Sequence, residues 1–220
     1  MPCVACLHAG FAAPSGTYAA CPVCGLEQRA PRDDPTPLLP EAIALQARKE
    51  REYQPLGRRL SHHVLDHAAS GARVLDYACG TSASLREAQR HRPLQCVRVD
   101  RSPTVCAWLE QHCVENKEDE VRQADDFSEC GDGFDLVLLF DVLQEVRDPA
   151  RVLRGAASAL APGGRVLVTT HHDAAHAFHA RRLHVDDVVA MASRCGLALH
   201  AAAERPDVDH FGLVVLVAEE

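Results

Sequence analysis

Four cysteines near the start of the chain have the spacing of a metal site. They form two pairs, Cys3-x2-Cys6 and Cys21-x2-Cys24, and each pair can present two thiolates from one tight turn. Four thiolates complete the tetrahedral coordination of zinc and leave no open position, so the ion would stabilise the fold rather than take part in catalysis. The spacing therefore predicts a zinc ribbon over residues 1–30, with a redox dithiol, disulfides or simple packing as the alternatives.

A second group of chemically useful residues lies between an apolar run and a helix-like segment. The sequence RVLDYACGTSAS places Asp76, Ala78, Gly80 and Ser82 in this loop. Small residues let the backbone approach a ligand closely, and a helix N-terminus attracts a negative group such as a carboxylate or phosphate. We therefore expect the loop to hold a ligand. NAD is the alternative nucleotide, but the loop contains too few glycines for its pyrophosphate.

Acidic residues also follow other apolar runs of the chain. Asp100 follows LQCVRV, Asp125 and Asp126 follow VRQA, and Asp141 and Glu145 follow FDLVLLF. The carboxyl ends of parallel strands border the ligand crevice of an open α/β sheet. We therefore expect these carboxylates at the crevice, with Asp141 and Glu145 as candidate substrate contacts.

Four histidines follow the run RVLVTT, at positions 171, 172, 176 and 179. Neutral imidazole is a competent base at pH 7. The hypothesis is that His171 or His176 deprotonates a hydroxyl or amine acceptor. The alternatives are a solvated lid whose histidines do no chemistry, and a second metal site formed by His172, His176 and His179.

These residues require a scaffold that brings strand ends together. From Pro40 onward, apolar strand-like runs alternate with helix-like segments, which implies parallel pairing and crossover helices. Runs such as VLLF lack polar alternation, as expected where both faces of a sheet are covered. A first helix is expected over residues 41–70, interrupted near Pro55 and Gly57. The chain is divided into the ribbon (1–30), a proline-rich linker (31–40) and an α/β domain (41–220).

The same α/β region resembles the class I S-adenosylmethionine-dependent methyltransferases over roughly residues 50–220. Their loop, acid-x-Gly-x-Gly-x-Gly, corresponds to Asp76, Ala78, Gly80 and Ser82. FDLVLLFDVLQEVRDP looks like the family's FDxVxxxxVLEHxxDP, and LAPGGRVL is similar to its turn into the fifth strand. FGLVVLVA looks like its antiparallel last strand. The resemblance implies a doubly wound, mostly parallel, seven-stranded sheet (Rossmann-like) with the small ribbon attached.

The resemblance also implies roles for individual residues. In the family an acid at the position of Asp100 binds both ribose hydroxyls, which suits a carboxylate with two acceptor oxygens. The segment Asp125-Asp126-Phe127 corresponds to the one that meets the adenine amino group. S-adenosylmethionine is thus the expected cofactor, and its expected contacts are Tyr53, Asp76, Ala78, Gly80, Asp100, Arg101, Asp125, Asp126, Phe127 and Phe140. The family has no universal catalytic residue.

Composition restricts the partners. The chain has 23 Lys and Arg against 31 Asp and Glu, a net charge of −8, so nothing attracts it generally to nucleic acid or anionic lipid. It has no secretory signal and no apolar run of the ~20 residues that span a bilayer, so we expect a cytoplasmic protein and no membrane partner. The six scattered cysteines are expected to be apolar packers; the oligomeric state stays open.

The expected activity is methyl transfer to a small molecule such as a sugar, a glycan or a natural-product intermediate. One alternative is an rRNA base methyltransferase, because residues 47–49 and 53–56 faintly resemble a linker of zinc-containing guanine methyltransferases. The other is a catalytically degenerate protein that uses its zinc ribbon for interaction, an alternative motivated by Ala78 and Ser82.

Overall fold

Seven strands form the main sheet of the computed structural model, which describes residues 19–21, 23, 27–28, 54–114, 117–171, 181–205 and 211–219. The strands are β3 (Arg73–Tyr77), β4 (Gln95–Asp100), β5 (Glu120–Gln123), β6 (Phe134–Leu139), β7 (Leu160–His171), β9 (Leu197–Arg205) and β10 (Phe211–Ala218). Their hydrogen-bonded order is β5-β4-β3-β6-β7-β10-β9. The prediction of a seven-stranded, Rossmann-like sheet is confirmed.

Strand direction differs from the prediction, because the sheet is mixed rather than mostly parallel. β3 pairs in parallel with β4 and β6, and β4 pairs in parallel with β5. β9 and β10 pair antiparallel along their length, from Phe211 opposite Arg205 to Ala218 opposite Leu197. Only residues 206–210 connect these two strands, and a connection that short allows a hairpin but no crossover helix.

Within the described ranges, five helices alternate with the strands, as the sequence pattern predicts. They are α1 (Gln54–His67), α2 (Ala83–Gln89), α3 (Pro103–His112), α4 (Pro149–Ala159) and α5 (Val185–Ala192), with 3₁₀ turns at Phe127–Glu129 and Ser193–Cys195. α1 begins at Gln54, so Pro55 and Gly57 lie among its first residues, and the expected interruption stays a prediction because residues 41–53 lie outside the described residues. Proline is tolerated there because the first amide groups of a helix have no intrahelical acceptor.

Three parallel strands, β3, β4 and β6, are buried on both faces along most of their length. Val74, Leu75 and all residues of Leu136–Leu139 are almost inaccessible to solvent. Arg98, in the middle of β4, carries a positive charge and is nevertheless 0% exposed. Five of the six scattered cysteines are buried and Cys79 is partly so, which confirms them as packing residues.

The backbone divides into two compact units. Unit 1 comprises Met1–Pro35, Leu139–Ser158 and Val166–Glu220, and unit 2 comprises Thr36–Leu138 and Ala159–Arg165. The predicted boundaries of ribbon, linker and α/β domain stay a prediction. Within the described ranges, none of the helices has the length and hydropathy needed to cross a membrane.

A small second sheet lies within unit 1. It consists of β1 (Ala19–Ala20), β2 (Glu27–Gln28) and β8 (Arg181–Arg182), with both neighbouring pairs antiparallel. Cys21 directly follows β1 and is 2% exposed, whereas Cys3, Cys6 and Cys24 lie outside the described residues. Within the ranges that are described, no cluster of three or more His, Cys, Asp or Glu side chains could bind a metal.

Candidate functional site

The loop between β3 and α2 has an unusual backbone. Ala78, Gly80 and Ser82 have φ values of 53°, 51° and 52°, all in the left-handed region. Glycine adopts this region freely, whereas a residue with a Cβ does so at a cost of about 1–2 kcal/mol. Two strained positions within five residues show that the surrounding structure imposes the shape of the loop, a pattern that is concentrated at functional sites.

Asp100, the last residue of β4, is bonded to this loop. Its Oδ2 accepts a hydrogen bond from the Gly80 amide at 3.1 Å, and its Oδ1 accepts one from the Ser102 amide at 2.9 Å. A carboxylate oxygen can accept two hydrogen bonds, so the two backbone donors fix the orientation of the group and leave capacity for two further donors. Such a carboxylate can bind a pair of neighbouring hydroxyl groups.

Asp76 differs from Asp100 because it is buried beneath the loop. Only 5% of Asp76 is exposed, and its Oδ2 accepts a hydrogen bond from the Ser82 hydroxyl at 2.5 Å. The Ser82 oxygen in turn accepts a hydrogen bond from Nε of Arg98 at 3.3 Å. Asp76 therefore bonds the beginning of the loop to its end.

Arg98 takes part in this arrangement, although its role was not predicted from the sequence. Its guanidinium donates to Gln89 as well as to Ser82, and Gln89 donates to both oxygens of Asp119 at 3.0 and 3.2 Å. The signal in the sequence was a charged residue in the centre of the apolar run LQCVRVD.

An aromatic pair accompanies the acidic segment after β5. The rings of Tyr77 and Phe127 are stacked with their centroids 4.1 Å apart, and the Tyr77 hydroxyl donates to the backbone oxygen of Asp125 at 3.2 Å. The Asp126 side chain accepts from the Ser128 amide at 3.0 Å and thereby caps the 3₁₀ turn, whereas Asp125 is exposed. Phe127 is buried, so the solvent-facing member of the predicted triplet is Asp125. Tyr77 was also missed by the sequence analysis.

Cys79, in the middle of the loop, lies where ionisation of its thiol is opposed. Burial raises the pKa of its thiol well above the usual value, and the negative charges of Asp76 and Asp100 raise it further. The pKa of Cys106 is raised as well, chiefly by burial, and its Sγ lies 3.3 Å from the backbone oxygen of Asp100. Both side chains therefore stay protonated thiols and fill space around the loop.

The remaining predicted cofactor contacts, Arg101, Phe140 and Tyr53, stay predictions. Arg101 is exposed, and its backbone oxygen accepts from Gln123 at 3.4 Å. Phe140 is partly buried in unit 1. Tyr53 and His176 lie outside the described residues, and His171 is described only by its backbone, as the last residue of β7.

Unit 1 contains a separate polar arrangement around Asp141. This residue also has a left-handed backbone, with φ of 61°. Its amide donates to Oγ1 of Thr169 at 2.9 Å, and that hydroxyl donates back to Oδ1 of Asp141 at 3.2 Å. Gln144 is fully buried and donates to the Thr169 backbone oxygen at 3.3 Å. Glu145, the other predicted substrate contact, is exposed. Thr169 thus fixes the partly exposed carboxylate of Asp141.

Comparison with known proteins gives one family and several relatives. Residues 45–204 match the family model described as "Methyltransferase domain". A "Ubiquinone biosynthesis O-methyltransferase" of Xanthomonas campestris is 32% identical over 116 residues, which cover 51% of this chain and 48% of that protein. The chain thus spans about half the length of the curated relatives it matches.

Solved structures with the same fold are more distant in sequence. A TehB-like S-adenosylmethionine-dependent methyltransferase of Corynebacterium glutamicum gives a TM-score of 0.64 at 20% identity, covering 82% of this chain and 100% of that one. A chain of the complex between the Haloferax volcanii Trm112 methyltransferase activator and a methyltransferase gives 0.69 at 16% identity, covering 84% and 100%. At these identities the similarity establishes the fold alone.

Proposed function

This chain belongs to the methyltransferase domain family, and from that premise we propose that it transfers a methyl group from S-adenosylmethionine to a small-molecule acceptor. The observation that carries the proposal is the carboxylate of Asp100, oriented by the amides of Gly80 and Ser102 beside a strained loop. In the proposal its remaining acceptor capacity binds the two ribose hydroxyls. The exposed Asp125 carboxylate accepts from the adenine amino group.

When bound, S-adenosylmethionine would supply a methyl group attached to a positively charged sulfur, and that sulfur would become a neutral thioether once the methyl group is transferred. A new bond forms between the acceptor atom and the methyl carbon while the carbon–sulfur bond breaks, and the sulfur keeps the electron pair. The protein's main contribution is to align the reacting atoms. In the proposal His171 or His176 takes the acceptor's proton, which adds roughly 10²- to 10⁴-fold to the rate.

A hydroxyl oxygen is the acceptor atom we propose. The support is the relative from Xanthomonas campestris, whose name describes an O-methyltransferase. Asp141 is the proposed acceptor contact, because a fixed and partly exposed carboxylate can accept a hydrogen bond from a hydroxyl group. Its strained backbone is held by Thr169, so its direction is set before any ligand binds.

Calorimetry with S-adenosylhomocysteine, followed by labelling, tests the proposed function. We expect saturable heat at micromolar ligand, and transfer of a radioactive methyl group from S-adenosylmethionine into the small-molecule fraction of a cell lysate. Label in rRNA, retained in a strongly salt-dependent manner, would favour the base methyltransferase instead. Absence of heat from folded protein at high micromolar ligand would favour the catalytically degenerate alternative.

Replacing Asp141 by asparagine is expected to lower transfer into the small-molecule fraction about 10- to 100-fold, because the side chain keeps its size but loses its charge-assisted hydrogen bond to the acceptor. The affinity for S-adenosylhomocysteine should change by less than about twofold. Asp186→Asn, the same change at an exposed position in the first turn of α5 and outside the predicted site, is the matched control. Unchanged transfer by Asp141→Asn would show that the acceptor lies elsewhere.

We further propose that residues 1–30 form a structural zinc ribbon bound by Cys3, Cys6, Cys21 and Cys24. The support comes from the second cysteine pair. The antiparallel strands β1 and β2 flank it, with Ala20 opposite Glu27, so the chain reverses direction between them, and Cys21 is buried at the start of that reversal. Two thiolates supplied by a short segment between antiparallel strands would suit tetrahedral coordination.

Elemental analysis of the purified protein is expected to find one zinc ion per chain. Removal of the ion by a chelator, or the substitution Cys21→Ser, should lower the melting temperature, because metal binding contributes free energy to folding. Cys195→Ser is the matched control, since it changes another buried cysteine, one outside the proposed ligand set. Metal-free protein with an unchanged melting temperature would contradict the zinc proposal.

A further inference from the structure

The buried guanidinium of Arg98 is hydrogen-bonded to the loop between β3 and α2 through a single hydroxyl group. Its Nε donates to Oγ of Ser82 at 3.3 Å, and the same oxygen donates to the Asp76 carboxylate at 2.5 Å. Ser82 and Asp76 are 3% and 5% exposed, and Arg98 is 0% exposed. A positive charge on β4 is thus connected to both ends of the loop through one serine.

This guanidinium is held by few partners for a buried charge. Its Nη2 donates to Gln89, whereas its Nη1 lies 3.9 Å from Oδ2 of Asp119, too far for a hydrogen bond, and has no hydrogen-bond partner among the residues described. Burying a charge with incomplete pairing costs several kcal/mol. Replacing a buried ion pair such as Arg98 and Asp119 by hydrophobic side chains is often neutral or stabilising, so stability alone does not account for the pair.

Ser82 is itself unusual at the start of α2. Serine in this position normally accepts a hydrogen bond from an amide of the first helical turn. Here its side chain makes no such bond, because its hydroxyl is used between Asp76 and Arg98 instead. Its φ of 52° is the strained conformation that orients this hydroxyl. The network therefore maintains the left-handed turn at the expense of the usual helix cap.

We propose that Arg98 is a positioning residue for S-adenosylmethionine: through Ser82 it holds the loop in the conformation that directs the Gly80 amide to Asp100. The inference rests on the proposed function and adds to it a residue outside the predicted cofactor contacts. In this chain the roles of Ser82 and Arg98 depend on each other. Ser82 stands where the family's loop has its third glycine, and its hydroxyl oxygen is also the acceptor for the buried guanidinium.

A double-mutant cycle measured by calorimetry with S-adenosylhomocysteine tests this coupling. The three variants are Ser82→Ala, the pair Arg98→Met/Asp119→Asn, and the combination of all three changes. The pair removes the buried charge together with its partner charge, and an amide at position 119 can still accept from Gln89 and from the Cys96 amide, which Asp119 contacts at 3.3 Å. We expect about tenfold weaker binding for each of the first two variants, and no further loss for the combination.

Arg73→Met is the matched control, because Arg73 lies at the opposite end of β3, where it stacks over Phe134 at 4.4 Å. It should lower the melting temperature and leave the dissociation constant within about twofold. If the losses of affinity in the cycle multiply, the two sites act independently and the positioning role is overturned. An unchanged dissociation constant for Ser82→Ala would overturn it too, and this result is decisive even if Arg98→Met/Asp119→Asn does not fold. Absence of binding by the wild type would instead refute the proposed function.

Discussion

Asp100→Ala is expected to weaken the binding of S-adenosylhomocysteine by about 1–3 kcal/mol, which corresponds to roughly 5- to 150-fold in the dissociation constant. Alanine removes the proposed acceptor of both ribose hydroxyls. It also removes the acceptor for the Gly80 and Ser102 amides, so the loop loses its connection to the end of β4. Isothermal titration calorimetry measures the change directly.

Asp135→Ala is the appropriate control for this substitution. Asp135 also accepts a backbone hydrogen bond, from the Arg73 amide at 2.8 Å, but it lies near the beginning of β6 and is exposed. Its removal should alter stability slightly and leave the affinity unchanged. If Asp100→Ala binds as tightly as the wild type, the ribose is bound by other residues.

Gly164→Ala is expected to lower the free energy of unfolding by about 3 kcal/mol, near the upper end for overpacking, and the melting temperature by about 6–12 °C. A Cβ at this position would lie 2.7 Å from the backbone oxygen of Phe134 and 2.9 Å from that of Ala161. Backbone atoms cannot turn aside as a side chain can, so part of the sheet would have to move. Thermal denaturation followed by circular dichroism measures the effect.

A substitution at the neighbouring Gly163 distinguishes the effect of steric overlap from the effect of backbone conformation. A Cβ on Gly163 meets nothing within 4 Å, but this residue has φ of 78°. Gly163→Ala should therefore cost only the left-handed penalty of about 1–2 kcal/mol. Equal destabilisation by the two substitutions would show that close packing at Gly164 is not the dominant effect.

The elements of this protein were predictable wherever local pattern determines structure. Apolar runs followed by acidic residues predicted the strands β3, β4 and β6, since strands covered on both faces are mostly apolar. The expected turn at Pro162–Gly164 was wrong: the segment lies within β7, with Gly163 supplying the left-handed residue. A proline and two glycines predict a local bend, and the left-handed backbone of Gly163 is the part of that bend which the strand retains.

The contacts of the site were less predictable because they depend on residues far apart in sequence. Asp76 and Asp100 were identified from their places at strand ends, yet the hydrogen bonds of the two carboxylates differ completely. Nothing in the sequence around Ser82 shows that its hydroxyl meets a residue 16 positions later. Sequence pattern indicates which residues reach the strand ends, whereas burial decides which of them face a ligand.

The pairing of β2 with β8 has a consequence for truncated forms of the chain. Glu27 lies opposite Arg182 and Gln28 opposite Arg181, so β8 obtains its antiparallel neighbour from the cysteine-containing segment. Cutting away residues 1–30 would leave the amide and carbonyl groups of β8 without that neighbour, just after the histidine-rich stretch and just before α5. An N-terminal deletion therefore alters the remainder of unit 1 as well, and a shortened protein is no substitute for the full chain in assays of acceptor turnover.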